Sequence, residues 1–294
     1  MTANGKTGRK APNDLGKLQE RLLVKKQRAL LRLDEPDPDG ANIVKGRNMM
    51  EGYLRGSNIQ YGDYVRTVAS DPLFARAYAL VKDLTLVSLP KLVNLYSLVR
   101  FYLPRLAPGQ IVEFGSYRGG SAILMAFLAR QLGLEARVYA LDTFEGMPET
   151  AAVVDWHKQG DFAETSLAAL ETYRDELGLD NLHFVKGRFE DTAEALFGRI
   201  GPVALAHVDC DIESAVRYAY DTVRERMVPG GYVVFDDPLE SCCLGAFQVV
   251  EECLVARDGL LAEQVYPHLV YRYPPLAGRT TPPDVSGVGP GSDA

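Results

Sequence analysis

Ile111-Val-Glu113-Phe-Gly115-Ser-Tyr117-Arg-Gly119-Gly120-Ser121 is a short β-branched and acidic run that ends in a glycine and is followed by more glycines. It leads directly into Ala122-Ile-Leu-Met-Ala-Phe-Leu-Ala-Arg-Gln-Leu132, an apolar run of helical length. The pattern reads as strand, tight turn, helix. Glycines at such a turn let the backbone bend and let a ligand approach the N–H groups at the helix start, where the dipole is positive. The spacing is not the G-x-G-x-x-G of dinucleotide-binding proteins, which argues against hydride transfer.

Downstream the text alternates regularly. Val138–Leu141 is a second strand ending at Asp142, Leu182–Lys186 a third ending at Gly187, Val203–Val208 a fourth ending at Asp209, and Gly231–Phe235 a fifth ending at Asp236-Asp237. Helical patterns separate them at Leu124–Leu132, Ser166–Leu177, Thr192–Phe197, Ser214–Met227 and Leu244–Val255. Near-continuous apolar strands alternating with helices predict a parallel α/β sheet covered on both faces. Two further short strands around a turn within Ala262–Tyr273 predict an antiparallel pair at the sheet edge, bringing the total to seven. The polar residues gather at the carboxyl ends of the strands, the ligand edge of open α/β sheets.

Outside this block, residues 1–41 read as a basic amphipathic arm (Leu15–Leu33) and an acidic linker, and 42–108 as an interrupted helical cap whose strongly apolar stretch, Thr85 to Leu103, lies across the sheet domain. The sheet domain itself is placed at 109–275, and 276–294 is a Gly/Pro/Ser-rich tail expected to be disordered. The arm, lacking aromatic anchors, is expected to pack on the domain or on a second copy, giving a homo-oligomer, rather than on a membrane.

Hydrophobic residues make up 47% and charged residues 24%, and no run is long and charge-free enough to span a bilayer. A net charge of −7 argues against a nucleic-acid partner. The basic N-terminus lacks the apolar core of a secretory signal, so a cytoplasmic location is expected. Cys210, Cys242, Cys243 and Cys253 have no C-x-x-C spacing and read as buried free thiols rather than as zinc or redox chemistry.

Two features carry chemistry. Asp142, at a strand end beside the glycine turn, is placed to accept from ribose hydroxyls, although an aspartate there can also serve the turn itself. Asp209-Cys-Asp211 and Asp236-Asp237 end two strands, and bringing their carboxylates together is electrostatically costly without a cation or protons. An all-oxygen set suits Mg²⁺, with Ca²⁺ or Mn²⁺ possible and Zn²⁺ less natural; alternatively Asp211 or Glu213 caps the helix near Ser214. His157 sits in the long loop 143–161 and is a minor candidate as substrate contact or base, while His183, His207 and His268 read as structural.

Val112–Ala122, Leu141-Asp-Thr-Phe-Glu-Gly-Met-Pro148, Val185–Thr192, Val208-Asp-Cys-Asp-Ile-Glu-Ser214 and Pro229–Asp237 together resemble the macrocin O-methyltransferase family, over about Thr85 to Val255. The resemblance implies a Rossmann-like class I fold and methyl transfer from S-adenosylmethionine, mostly to sugar hydroxyls of natural products. It implies that Glu113, Gly115, Tyr117, Gly119 and Ser121 line the methionine part of the cofactor and that Asp142 holds the ribose, with Thr143 counted among the binding residues. Gly187, Phe189 and Asp191 would border the adenine, and Thr85 and Ser88 would reach the cofactor from the cap. Asp209, Asp236 and Asp237 would hold Mg²⁺, Asp209 also touching the cofactor, and Asp211 would be the general base with Asp209 as rival. Cys210 departs from the glycine common at that position. A phenolic or other small-molecule acceptor, or a cofactor-binding subunit without turnover, are the alternative readings.

Overall fold

The computed structural model describes residues 64–151, 153–240 and 242–274, together with the backbone of 43–44 and 47–48. The expected basic arm, its linker and the C-terminal tail lie outside the described residues. The chain divides into two units, 1–67 and 68–294. In the first, β1 (Ile43–Val44) and β2 (Arg47–Asn48) form a small antiparallel pair. Helix α1 (Tyr64–Ala69) runs across the division.

In the second unit, α2 (Pro72–Val81) starts on Asp71, whose side chain accepts from the Leu73 N–H, with a proline in the first turn. Helix α3 (Leu89–Ser97) follows and continues as a π-helical turn, Leu98–Tyr102. The apolar residues of this stretch, among them Leu92, Leu95, Tyr96 and Val99, are buried. Both α2 and α3 pack on α4 (Gly120–Gln131), which is buried on nearly every side and accordingly apolar throughout. The helices of 68–108 thus form one unit with the sheet.

The sheet contains β3 (Gln110–Phe114), β4 (Val138–Asp142), β5 (Leu182–Lys186), β6 (Val203–Val208), β7 (Met227–Phe235) and β8 (Leu269–Tyr273), in the order β5-β4-β3-β6-β7-β8. All neighbours are parallel except β7 and β8. The remaining α-helices among the described residues are α5 (Leu167–Glu176), α6 (Phe189–Phe197), α7 (Glu213–Arg224) and α8 (Leu244–Val249), α8 continuing as a π-helical stretch, Val250–Arg257.

The expected α/β sheet is present, with six strands rather than seven. The predicted late pair yields one strand: Gln264 meets Val270 in a single bridge. Between them Pro267 has no N–H to offer a ladder, and Val270 pairs on its other side with Val234. The helix predicted over Ser214–Met227 ends at Arg224, because Met227 already belongs to β7.

Chain order runs outward from β3 through β4 to β5, then returns to β6 on the other side of β3. The crevice at such a reversal is where open α/β sheets bind ligands. Register aligns Phe114 with Val208 and Val208 with Phe235, so the residues that follow, Gly115, Asp209 and Asp236, stand side by side on one edge.

Candidate active site

The carboxyl ends of β3, β4, β6 and β7 open into a cavity of about 390 Å³. One end is built by the glycine turn. Gly115 has φ +85°, and a Cβ there would fall 1.8 Å from the backbone oxygen of Asp209, so only glycine allows β3 and β6 to end this close together. At Gly120 a Cβ would lie 2.5 Å from the Thr85 Cβ, and its absence brings the segment 84–87 over the turn. Thr85, Leu86 and Val87 line the cavity for that reason.

Asp142 fastens this turn. Its Oδ2 accepts from the N–H groups of Ser116 (2.7 Å) and Tyr117 (2.8 Å), and its Oδ1 from the N–H of Phe144 (2.7 Å). The Thr143 hydroxyl approaches Oδ1 as well, at 3.4 Å, so the carboxylate's acceptor positions are largely taken up in holding the turn.

At the other end, the carboxylate oxygens of Asp209, Asp236 and Asp237 lie within 4.8 Å of one another. Their surroundings differ sharply. Lys91, buried on α3, donates from Nζ to Asp236 Oδ2 (2.6 Å), to the Asp236 carbonyl (3.0 Å) and to Glu240 Oε1 (2.9 Å). His268 Nε2 meets Asp236 Oδ1 at 2.9 Å, and its Nδ1 meets the Asn94 amide at 3.0 Å. Burial alone pushes the Asp236 carboxyl up, yet the His207, His268 and Lys91 partners hold it well below the ordinary aspartate value. Asp209 and Asp237 are driven the opposite way, first by burial and then by neighbouring carboxylates. Asp237 Oδ2 accepts from the N–H groups of Cys210 (3.0 Å) and Asp211 (2.8 Å), whereas no protein donor among the described residues reaches the Asp209 carboxylate. This surplus of buried negative charge, all on oxygen, fits a hard divalent cation.

Behind the cluster, Glu113 is fully buried and is spent internally, on Ser116 Oγ (3.1 Å) and on His207 Nδ1 (3.0 Å). His207 Nε2 has no hydrogen-bond partner among the described residues and lies 3.7 Å from Asp236 Oδ1. Burial lowers the affinity of this imidazole for its proton, but the carboxylates of Asp236 and Glu113 outweigh it and raise its pKa to about 10. His268 is lowered by the same burial and by its cationic neighbours.

Asp211 stands between the two groups of residues with φ +59°, a left-handed backbone uncommon for aspartate. It does not cap α7. The Glu213 N–H is taken by Asp155 Oδ1 at 2.9 Å, leaving the Asp211 carboxylate facing the cavity. Tyr117 (φ +49°) and Phe162 (φ +61°) share this backbone state and also line the cavity; such strain concentrates at functional sites.

Of the residues expected from the sequence, Thr85, Gly115, Tyr117, Ser121, Asp142 and Thr143 line the cavity, as do Phe189, Asp209, Asp211, Asp236 and Asp237. Ser88, Glu113, Gly119, Gly187 and Asp191 do not: Ser88 precedes α3 facing solvent, Gly119 is the buried N-cap of α4, and Asp191 points outward from the first turn of α6. Lys91, His157, Cys242 and Cys243 line the cavity without having been expected as a group. For Lys91 the signal is a lone cation within the apolar Leu89–Tyr96 run; for the others no sequence spacing connects them.

Residues 58–253 match the family described as Macrocin-O-methyltransferase (TylF). The chain belongs to this family. The match starts earlier than the motifs alone indicate, taking in α1 and α2. Among characterised relatives, this family member is 34% identical over 172 residues to the 8-demethyl-8-(2,3-dimethoxy-alpha-L-rhamnosyl)-tetracenomycin-C 4'-O-methyltransferase of Streptomyces olivaceus, covering 55% of this chain and 65% of that one. It is 28% identical over 172 residues to the mycinamicin III 3''-O-methyltransferase of Micromonospora griseorubida, covering 54% and 66%. The matches therefore span just under two thirds of these relatives' length. Among solved structures, the O-methyltransferase NovP superposes with a TM-score of 0.58 at 23% identity, covering 65% of this chain and 82% of NovP. The calicheamicin methyltransferase CalS11 gives 0.50 at 18% identity, covering 93% and 99%. These two likenesses establish the fold.

Proposed function

We propose that this protein transfers a methyl group from S-adenosylmethionine to a sugar hydroxyl of a natural product, with Mg²⁺ held by Asp209, Asp236 and Asp237. The observation that carries the reading is the convergence of those three carboxylates, with Asp211 beside them, in the same cavity as the Gly115–Ser121 turn. The family membership and the sugar named in the Streptomyces olivaceus relative support the acceptor class.

The donor supplies an electrophilic methyl on a sulfonium, and a divalent cation supplies Lewis acidity that eases loss of the acceptor proton. The chain's own residues do the rest. The positive end of α4's dipole, at its Gly120–Ser121 start, would face the donor's carboxylate. Asp142 keeps the turn before it in place by binding the Ser116 and Tyr117 amides. Asp211 would accept the acceptor hydroxyl's proton, with Asp209 as the rival base, while the donor, when bound, would supply the methyl group and leave as the neutral thioether. Burial raises the Asp211 carboxyl above its ordinary value, which strengthens it as a base.

The test is incubation with methyl-labelled S-adenosylmethionine and panels of deoxysugar-bearing and phenolic acceptors, with Mg²⁺ or with chelator. Label transfer to a sugar hydroxyl that chelator abolishes is expected. Transfer to phenols alone overturns the acceptor class, and failure of S-adenosylhomocysteine to bind in calorimetry overturns the methyltransferase reading.

A further inference from the structure

The same cavity holds a second group of metal-type ligands, adjoining the carboxylate cluster at Asp211 and Asp237 but chemically unlike it. His157, Cys242 and Cys243 offer ligand atoms that all lie within 4.8 Å of one another, and Asp211 joins them through Cys243. Cys242 Sγ and Cys243 Sγ are 3.6 Å apart, Cys243 Sγ and Asp211 Oδ1 3.4 Å, Cys243 Sγ and His157 Nε2 4.0 Å, and His157 Nε2 and Asp211 Oδ1 3.5 Å. A tetrahedral zinc centre with bonds of about 2.3 Å to sulfur and about 2.0 Å to nitrogen or oxygen has edges of about 3.8 Å between sulfurs, about 3.5 Å from sulfur to nitrogen or oxygen, and about 3.3 Å from nitrogen to oxygen. Three of these four separations sit within about 0.2 Å of those edges, and the fourth, Cys243 Sγ to His157 Nε2, is about half an ångström longer, a gap a small rotation of the imidazole closes.

The remaining ring nitrogen adds to the match. His157 Nδ1 faces Asp161 Oδ2 at 3.5 Å, the side from which a carboxylate orients a zinc-ligating histidine, while Nε2 faces Cys243 and Asp211. The side chains come from three separate places, the loop before α5, the end of β6, and the turn before α8, and all four line the cavity.

We propose that His157, Asp211, Cys242 and Cys243 form a Zn²⁺-binding site of their own, which when filled takes Asp211 away from the acceptor hydroxyl. Soft thiolates select Zn²⁺ over Mg²⁺, while the all-oxygen cluster next door favours the hard ion, so the two positions discriminate between metals. Each Zn²⁺ bound displaces the protons of the two thiols into solvent, with no change of oxidation state. The protein is thereby inhibited by zinc under conditions in which magnesium supports turnover. The binding site stands on geometry alone; the inhibition rests on the methyltransferase reading.

The test uses reduced, chelator-stripped full-length protein in excess Mg²⁺, titrated with Co²⁺ as a spectroscopic stand-in. One equivalent producing a thiolate-to-cobalt charge-transfer band and intense tetrahedral d–d bands, both bleached by one equivalent of Zn²⁺, is the expected result. Cys242→Ser and His157→Gln, each checked for a wild-type circular dichroism spectrum, weaken Zn²⁺ at least about tenfold against a chromophoric chelator, one ligand's share of a four-ligand site. Absence of the charge-transfer band in the wild type, or Zn²⁺ affinity unchanged in both variants, overturns the site. Turnover of the wild type with Zn²⁺ added to saturating Mg²⁺ falls, and Cys242→Ser restores it; equal inhibition of both proteins overturns the regulatory claim. Failure of the methyltransferase reading would remove the turnover assay and leave the cobalt spectrum intact, so the two failures are distinguishable.

Discussion

Lys91 Nζ donates a 2.6 Å hydrogen bond to Asp236 Oδ2 across 145 positions of chain, with both side chains almost wholly buried. The contact joins the helical segment before the sheet to the end of β7, and it neutralises one carboxylate of a cluster that is otherwise overcharged. Breaking a buried pair from one side leaves an uncompensated charge and costs about 3–5 kcal/mol. Lys91→Met is therefore expected to lower the unfolding midpoint markedly in chelator, and Mg²⁺ is expected to recover more stability in the variant than in the wild type. Calorimetric unfolding with and without Mg²⁺ checks both statements; an unaltered midpoint would show the pair to be energetically idle.

Asp211→Asn removes the proposed proton acceptor while leaving a side chain of equal size. kcat is expected to fall by about 10²- to 10⁴-fold, with S-adenosylhomocysteine binding retained. The wild-type rate rises with pH through the raised Asp211 pKa, since the base works only when ionised, and the variant loses that limb. A pH profile that keeps the same acidic limb in Asp211→Asn would transfer the role to Asp209.

Asp142→Ala deprives the Ser116 and Tyr117 amides of a charged acceptor. Hydrogen bonds to charged groups contribute about 1.5–3 kcal/mol each, so calorimetric affinity for S-adenosylhomocysteine is expected to drop by at least tenfold.

The metal-free protein should show two pH trends of defined sign. Asp209 and Asp237 have pKa values raised above 3.8, so their contribution to stability is present in acid and is lost as pH rises through the raised values. His207 is raised from 6.5 to about 10, so its contribution is full below 6.5 and lost as pH climbs to about 10. The proposed Mg²⁺ would compensate the aspartates and not the histidine. The shift in unfolding midpoint on adding Mg²⁺ is expected to grow from mildly acidic to neutral pH, while His207→Gln flattens the alkaline fall.

Gly115→Ala puts a methyl 1.8 Å from the Asp209 carbonyl and holds alanine at φ +85°. The conformation alone costs about 1–3 kcal/mol, and the clash must move the end of β6. Loss of stability together with weakened Mg²⁺ binding, read by thermal unfolding and calorimetry, is the expected pair; weakened metal binding is what separates a displaced cluster from a merely strained turn.

By itself the sequence determined what depends on local pattern. Apolar runs of strand length alternating with helical periodicity dictate the parallel sheet, and the glycines after Phe114 and the aspartates after Val208 and Phe235 mark its ligand edge because strand ends, turns and helix starts are encoded within a few neighbouring residues. Even the number of edge strands escaped this logic, since whether Ala262–Gln264 forms a ladder depends on which neighbour Val270 has already paired with. Tertiary structure alone decided which distant side chains meet. It set Lys91 and His268 on Asp236, turned Glu113 inward onto His207, gave the α7 Glu213 N–H to Asp155 rather than to Asp211, and brought His157 and Asp211 to Cys243. Those pairings rest on how helices pack over a folded sheet and on the cost of burying charge without a partner, and neither leaves a periodic trace in the chain.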